Sequence, residues 1–320
     1  MYSLKEDLTG QSELYFLQAG NSQSHHPTRG PEELLFKVKD LLHLFEHQQE
    51  GLQEARVVNP TNRPSYVKLT KGALQGLTRD TTAELQAQCQ TYGIDLVLMP
   101  SPRSLGSYKL LAMDMDSTVI SIECLDEVAD FCGKKAEVAS ITEAAMRGEI
   151  TDYAESLRRR VAFLKDLSAS ALQSVLTERL RFNPGAKELV AAAKSAGLHC
   201  LLVSGGFHPF TGYVAETLGF DEIHCNTLGM ENGKLTGEVI GLIVDGNAKK
   251  ESVLQAASKR GIDAGEQAIA IGDGANDLPM MTQVHLSLAY RAKPVVAIQA
   301  AAQFNFADLN SLLDCLNEAD

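Results

Sequence analysis

The sequence has no run of about 18 consecutive apolar residues, which is the length that a membrane-spanning helix needs. Its first segment, MYSLKEDLTG, also lacks the basic region followed by an apolar stretch that marks a secretory signal. Both absences argue against a membrane partner. They favour a cytoplasmic protein, and we take that location as an expectation.

Basic side chains are outnumbered, since 29 Lys and Arg residues face 41 Asp and Glu residues and the net charge at pH 7 is −12. An acidic chain is a poor electrostatic match for a phosphate backbone. We therefore expect no nucleic-acid partner. A small anionic substrate stays compatible with the composition, because one local basic pocket can override the net charge of the chain.

The cysteines include no C-x-x-C pair, which argues against a zinc ribbon and against a dense disulfide framework. Scattered cysteines of this kind are typical of free thiols in a reducing compartment, in agreement with the expected cytoplasmic location. The six residues are Cys89, Cys124, Cys132, Cys200, Cys225 and Cys315.

With 320 residues the chain is longer than one average domain, so we expect two domains. The segment PSPRSLGS at 100–107 concentrates Pro, Ser and Gly and predicts a linker. We accordingly place a small N-terminal accessory domain over residues 1–105 and a larger domain over residues 106–320.

The N-terminal domain has an α/β pattern without clustered catalytic residues. Apolar spacing predicts helices over 32–50 and 81–92, and strands over 66–70 and 94–99. Two roles stay open for this domain. It is either an amino-acid-binding regulatory domain or a docking or dimerisation domain, and the second role is compatible with a homodimer.

Three apolar segments of the larger domain end in polar residues: KLLAMDMD at 109–116, LHCLLVS at 198–204 and QAIAIGDGAND at 267–277. Helical patterns lie between them, for example over 185–195 and 249–259. This alternation predicts an α/β fold with a parallel, Rossmann-like sheet flanked by helices. Ligands bind at the carboxyl ends of such strands, so the polar clusters should meet at one sheet edge.

Two carboxylates follow the first of these strands, Asp114 and Asp116 in DMDST. Side chains at i and i+2 of a strand share a face, so both carboxylates are expected to project toward one pocket. Carboxylates this close repel each other unless a cation neutralises them, and Mg²⁺ is a typical hard cation for oxygen ligands. One Asp could attack phosphorus while the other exchanges a proton with the leaving oxygen. Alone, D-x-D is equally explained by a polar turn.

Three further motifs could complete such a site. Asp273 and Asp277 in GDGAND offer a metal ligand and support for it. The segment SGGF at 204–207 offers a hydroxyl and backbone N–H groups to an anion, and Lys249 in GNAKK offers positive charge to a phosphoryl group. Each motif alone also fits an ordinary helix cap, a Gly-rich connector or a solvated lysine. Their order and placement make the combination specific.

In this order, the motifs resemble those of the haloacid-dehalogenase-like phosphatases over residues 108–315. A second stretch, ITEAAMRGEITDYAESLRRRVAFLKDL, is similar to the branch of that family that acts on phosphoserine. The resemblance implies Mg²⁺-dependent hydrolysis of O-phospho-L-serine through a phosphoaspartate intermediate, the last step of serine biosynthesis. The stretches that carry the resemblance are DMDSTVISIECLDEVAD, the second stretch, LLVSGGF, NGKLTGEV, GNAKKESVL and AIGDGANDLPMM.

The resemblance implies a role for each acidic residue of the motifs. Asp114 would be the nucleophile and Asp116 the general acid and base. Mg²⁺ would be held by Asp114, the backbone carbonyl of Asp116 and Asp273, while Asp277 would support the site.

The substrate-binding residues also follow from the resemblance. Glu123 would bind the substrate ammonium and Arg160 its carboxylate, a pairing that suits a guanidinium fork. Within the RRR run, Arg158 and Arg159 are alternatives to Arg160. The groups implied to hold the phosphoryl group are Ser204, Gly205, Lys249 and Asn276.

The insert over about 122–185 is mostly helical by pattern and is expected to form a small cap over the sheet edge. A closed cap would exclude water during phosphoryl transfer, and an open cap would admit the hydrolytic water. Two alternatives to the phosphoserine activity remain. One is a related phosphotransferase or a phosphatase for another small ester, and the other is a metabolite-binding regulator with residues 1–100 as the sensor.

Overall fold

The computed structural model contains two sheets with helices packed against them. The residues that the structure describes are 13–18, 30–43, 56–58, 66–69, 79–99, 104–146, 150 and 152–316.

The first sheet is antiparallel and has the strand order β2-β3-β1-β4. Together with its two helices it forms a β-α-β-β-α-β unit along the chain. The elements are β1 (Glu13–Gln18), α1 (Pro31–His43), β2 (Arg56–Val58), β3 (Tyr66–Leu69), α2 (Arg79–Thr91) and β4 (Ile94–Met99).

Sequence reasoning found four of these six elements. The strand over 94–99 coincides with β4, and the helix over 32–50 is confirmed up to His43, beyond which residues 44–50 lie outside the described residues. It missed β1 and β2. Consecutive β1 residues from Tyr15 to Leu17 are all buried, so β1 lacks the alternation of apolar and polar residues that indicates a strand. The domain boundary near 105 stays a prediction.

The second sheet has seven strands in the order β11-β10-β9-β5-β6-β7-β8. Every neighbouring pair is parallel except β7 and β8, which form an antiparallel hairpin. The three strands predicted from sequence are β5, β6 and β9, which lie side by side at its centre. The strands are β5 (Leu110–Met113), β6 (His199–Phe207), β7 (Glu222–Glu231), β8 (Lys234–Ile240), β9 (Ala268–Gly272), β10 (Leu286–Tyr290) and β11 (Ala302–Phe304).

Helices cover both faces of this sheet, and β5 shows why its residues are apolar throughout. Leu111 and Met113 belong to one core cluster, whereas Leu110 and Ala112 belong to the other. A strand buried on both faces needs no polar alternation, so the predicted α/β class is confirmed. The covering helices are α7 (Ala186–Ser195), α8 (His208–Leu218), α9 (Gly246–Ser258), α10 (Ala264–Gln267), α11 (Leu278–Met281), α12 (Pro294–Ala297) and α13 (Leu312–Leu316).

A helical cap lies between β5 and α7, as the pattern of the insert predicts. The cap contacts the β7–β8 hairpin through two hydrogen bonds: Asp166 N–H donates to Leu235 O and Leu235 N–H donates to Leu167 O, both at 2.9 Å. Among the described residues, every helix is too short or too polar to span a bilayer. The cap helices are α3 (Cys124–Phe131), α4 (Lys135–Met146), α5 (Tyr153–Ala162) and α6 (Ser170–Glu178).

A buried carboxylate joins the first sheet to the second. Asp95 of β4 accepts hydrogen bonds from the backbone N–H groups of Asn305, Phe306 and Ala307, each at 2.8 Å. These three residues directly follow β11. Since Asp95 is 2% exposed, water does not replace these bonds, and the two sheets are fixed to each other at this point.

Replacing Asp95 with Asn is expected to lower the free energy of unfolding by about 1–3 kcal/mol. The three N–H groups donate to both carboxylate oxygens of Asp95, and in Asn one of these oxygens becomes an N–H₂ group, which cannot accept from them. Urea denaturation measures the change. Asp40→Asn is the matched control, since Asp40 is exposed on α1. Equal losses in the two variants would contradict the role of Asp95 in joining the sheets.

Candidate active site

The carboxyl ends of the three central strands bring the predicted polar clusters to one edge of the sheet. Asp114 follows β5, Asp273 follows β9, and Ser204 lies in β6 where the register with β7 shifts. The N–H of Asp114 donates to Ile271 O of β9 at 2.9 Å, so the two strand ends are fixed together. The meeting of these clusters at one edge agrees with the sequence analysis.

The Asp114 carboxylate is buried, with 5% of the residue exposed. Its Oδ1 accepts from the N–H of Met115 at 2.7 Å and lies 2.7 Å from Nζ of Lys249. Both contacts hold the same oxygen, so Oδ2 is the atom they leave for a substrate or a metal ion. Burial, then the charge of Asp277, raises the pKa of Asp114 above its ordinary value.

Asp116 reaches the site by a different route from the expected one. The strand ends at Met113, so the argument that i and i+2 share a strand face does not apply. A tight turn over Met115–Val119 carries Asp116 instead. A Cβ on Gly206 would lie 3.2 Å from Asp116 Oδ2, which places this carboxylate beside the Ser204 segment.

Lys249 of α9 is fully buried, whereas a lone lysine at a helix start is usually solvated. Its Nζ lies 2.7 Å from Asp114 Oδ1 and 2.7 Å from Asp277 Oδ1. Burial alone would lower the pKa of Lys249, but the two carboxylates raise it above its ordinary value and keep the side chain charged. The ammonium therefore places fixed positive charge beside Asp114.

Asp277 is fully buried and supports the loop that carries Asp273. Its Oδ2 accepts from the N–H groups of Asp273 at 3.1 Å and Gly274 at 3.0 Å, while Oδ1 accepts from Lys249. A Cβ on Gly272 would lie 2.5 Å from the Asp277 carboxyl group, so only glycine fits there. Asp273 in turn accepts at Oδ1 from the Thr118 hydroxyl at 3.2 Å.

Negative charge exceeds positive charge in this cluster. Asp114, Asp273 and Asp277 each offer an oxygen, and these atoms lie within 4.8 Å of one another. Burial and neighbouring carboxylates raise the pKa of Asp116 and of Asp273 to about 7 each. Asp116 Oδ1 is also buried without a hydrogen-bond partner among the described residues. Hard carboxylate donors with surplus charge fit a divalent metal ion such as Mg²⁺.

The Ser204 segment provides a narrow cradle for an anion. Ser204 is fully buried, and its hydroxyl accepts from the N–H of Gly206 at 2.8 Å. A Cβ on Gly206 would lie 2.9 Å from the Ser204 hydroxyl oxygen, and a Cβ on Gly205 would overlap the hydroxyl of Tyr153. A Cβ on Gly274 would likewise overlap the side-chain oxygen of Asn276. Glycine at these positions lets the backbone approach a ligand closely.

Two residues at the cradle were missed by sequence reasoning. Tyr153 brings a cap hydroxyl against Gly205, and its spacing of seven residues from Arg160 on α5 would have indicated a shared helix face. Asn226 of β7 donates to Gly205 O at 2.7 Å and accepts from Val244 N–H at 2.8 Å. A lone Asn in a strand gives no such signal.

Glu123 lies near Asp116 and Asp273, whereas Arg160 lies near Tyr153 and Asp126. Glu123 Oε1 accepts from the Ser117 hydroxyl at 2.7 Å, and its charge contributes to the raised pKa values of Asp116 and Asp273. Arg160 is half-buried, and its Nε is buried without a hydrogen-bond partner among the described residues.

The other two arginines of the RRR run lie at the surface. Arg158 and Arg159 are exposed, and Arg159 forms an ion pair with Glu155. Among the three, Arg160 is the one that is half-buried, and the substrate role expected of it stays a prediction.

A model of the family described as haloacid dehalogenase-like hydrolase matches residues 111–282, a range that includes Asp114, Ser204, Lys249 and Asp273. The chain belongs to the haloacid dehalogenase-like hydrolase family. The family that the order of the motifs suggested from the sequence is thus confirmed.

Several proteins named phosphoserine phosphatase are similar to this chain over most of their own length. A phosphoserine phosphatase of Albidiferax ferrireducens is 53% identical over 217 residues, which cover 67% of this chain and 91% of the relative. The crystal structure of a probable phosphoserine phosphatase from Vibrio cholerae, in unliganded form, matches with a TM-score of 0.73 and 30% identity, covering 97% of this chain and 87% of that one. A phospho-aspartyl intermediate analogue of phosphoserine phosphatase matches with a TM-score of 0.61 and 36% identity, covering 66% and 100%.

In this haloacid dehalogenase-like hydrolase, Gly205→Ala is expected to lower turnover of an aryl phosphate and to destabilise the fold by about 1–3 kcal/mol, because the methyl group overlaps the Tyr153 hydroxyl. Adding Tyr153→Phe removes that hydroxyl, and the ring carbon that then lies closest is 3.5 Å away. Turnover and the thermal midpoint should both recover in the double variant. Gly106→Ala is the control, since its Cβ meets open space. A double variant no better than the single one would contradict the contact.

Proposed function

We propose that the protein is a Mg²⁺-dependent phosphoserine phosphatase, which hydrolyses O-phospho-L-serine to L-serine and phosphate. The observation that carries this proposal is the buried Asp114 carboxylate, held at one oxygen by Lys249 and Met115 and adjacent to Asp116. The relatives named phosphoserine phosphatase support the substrate.

The first chemical step transfers the phosphoryl group to Asp114. One oxygen of the Asp114 carboxylate attacks phosphorus, an O–P bond to the carboxylate forms, and the ester bond to the serine oxygen breaks. The electron pair stays on the serine oxygen, which takes a proton from Asp116. A pKa of about 7 leaves a substantial protonated fraction of Asp116 at neutral pH, as a general acid requires.

The second step hydrolyses the phosphoaspartate. Asp116, now ionised, accepts a proton from a water molecule, which attacks phosphorus and releases phosphate. Asp114 returns to its carboxylate form, so the same residue serves as acid and then as base. An opened cap would admit this water, and a closed cap would exclude it during the first step.

The residues that would hold Mg²⁺ are Asp114, Asp273 and the backbone carbonyl of Asp116. The bound ion would offset the negative charge of the phosphoryl oxygens in the transition state. Asp277 is better suited to support than to ligation, because its two oxygens already accept from Lys249 and from the backbone of the Asp273 loop.

The phosphoryl group would be held by the cradle and by fixed positive charge. The Ser204 hydroxyl and the backbone at Gly205 supply hydrogen-bonding groups, Lys249 supplies the charge, and Asn276 lies at the neighbouring loop. Such groups are positioned before the reaction, so little reorganisation opposes charge development on phosphorus.

Glu123 and Arg160 would select the amino-acid end of the substrate. The Glu123 carboxylate, oriented by Ser117, would pair with the ammonium group. The buried Arg160 Nε lacks a partner among the described residues, and a substrate carboxylate would satisfy it. Formation of L-serine from its phosphate ester would be the last step of serine biosynthesis. The cytoplasmic location and the homodimer stay predictions.

Phosphate release from phosphoserine tests the reaction and its nucleophile. Activity should require Mg²⁺, disappear with excess EDTA and fall by several orders of magnitude in Asp114→Asn, which cannot form the phosphoaspartate. Asp40→Asn, at an exposed helix position, should retain wild-type activity. Turnover of a different phosphate ester but not of phosphoserine would overturn the substrate, and no hydrolysis at all would favour a metabolite-binding regulator.

Arg160→Ala should raise KM for phosphoserine by about 10- to 100-fold, as expected for loss of a charged hydrogen bond. Turnover of p-nitrophenyl phosphate, which has no carboxylate, should change far less. The control is Arg158→Ala, because Arg158 is an exposed arginine on the same helix. Equal losses on both substrates would refute the selective role of Arg160.

A further inference from the structure

Asn183, in the segment that leaves the cap, contacts four consecutive backbone carbonyl groups of the loop behind the nucleophile. Its side-chain nitrogen lies 3.3 Å from Ser117 O, 2.8 Å from Thr118 O and 3.0 Å from Ile120 O. Its backbone N–H donates to Val119 O at 2.9 Å. An amide group has two N–H donors, so the three oxygens share them.

This loop needs concentrated hydrogen-bond donors. It turns tightly enough for Ile120 N–H to reach Met115 O at 3.0 Å. Ser117 has a φ of 58°, a left-handed conformation that is unfavourable for residues other than glycine. The turn directs successive carbonyl dipoles toward one region, where they repel one another unless donors face them. Asn183 is 4% exposed, so its N–H groups serve these carbonyls where bulk water has little access.

The loop leads directly to the cap and contacts Glu123, one of the residues proposed to bind the substrate. The chain entering the cap pairs with the chain leaving it, through an antiparallel bridge between Ile120 and Phe182 and a 2.9 Å bond from Ser121 N–H to Arg181 O. Within the same loop, the Ser117 hydroxyl holds Glu123 at 2.7 Å. A displaced loop would therefore displace Glu123.

We propose that Asn183 is a positioning residue for substrate selection. By holding the four carbonyls, it keeps Ser117 in its left-handed conformation, and Ser117 keeps the Glu123 carboxylate directed at the substrate ammonium. The side-chain nitrogen of Asn183 donates to backbone carbonyl groups of this loop and not to the carboxylates of Asp114, Asp116 or Glu123. This inference rests on the proposed phosphoserine activity and adds a residue from the far end of the cap insert to its specificity.

The test compares wild type, Asn183→Ala and Asn183→Asp on two substrates. Loss of the donors should raise KM for phosphoserine by about tenfold, the effect of weakening one charged contact. KM for p-nitrophenyl phosphate, which carries no ammonium, should change less than about twofold by the same reasoning. Asn183→Asp keeps the shape but sets a carboxylate against carbonyl oxygens, so it should be no better than Asn183→Ala.

Two further variants separate positioning from general destabilisation. Val284 belongs to the core cluster that includes Leu110 and Ala112. Val284→Ala removes packing from that cluster and should lower the thermal midpoint without changing the ratio of the two KM values. Ser117→Ala should raise KM for phosphoserine as Asn183→Ala does. The double variant should be no worse than Asn183→Ala alone, because both changes act through Glu123.

An unchanged KM ratio in Asn183→Ala, an equal rise for both substrates, or fully additive effects with Ser117→Ala would each overturn the inference while leaving the proposed function intact. Failure of the wild-type protein to hydrolyse phosphoserine would overturn the proposed function itself, and this inference with it. The wild-type measurement therefore distinguishes the two failures.

Discussion

The site depends on one buried ammonium group between two carboxylates. Lys249 has no contact with solvent, and its charge is stabilised by Asp114 and Asp277 at 2.7 Å each. Removing either carboxylate would leave a buried charge poorly compensated, which is strongly destabilising. The ammonium also links α9 to the ends of β5 and β9. One buried ion-pair cluster thus holds together three separate elements at the edge of the sheet where the polar groups meet.

A large part of the fold could be predicted because short local patterns in the sequence indicate the central strands. Apolar runs ending in polar residues predicted β5, β6 and β9, and their shared edge follows from parallel topology. Lys249 was a weaker prediction, since its burial depends on Asp277, 28 positions away. Only the order of the motifs made it credible.

The features that were not predicted depend on contacts between residues that are distant in sequence, and no local pattern indicates such contacts. Asn183 meets Thr118 across 65 positions, and Asn226 meets Gly205 across 21. Neither Asn stands out in its own segment. The turn after β5 was foreseen only as an alternative to a shared strand face, and the left-handed conformation of Ser117 within it was not foreseen. Sequence patterns thus predicted which polar groups meet at the sheet edge better than which groups hold them there.

The Asp95 contact lies at one edge of the seven-stranded sheet. β11 is an edge strand, and β4 of the first sheet lies against it while Asp95 occupies the N–H groups just beyond. An uncovered strand edge is a template for pairing with other chains. The first sheet therefore acts as a shield against intermolecular strand addition.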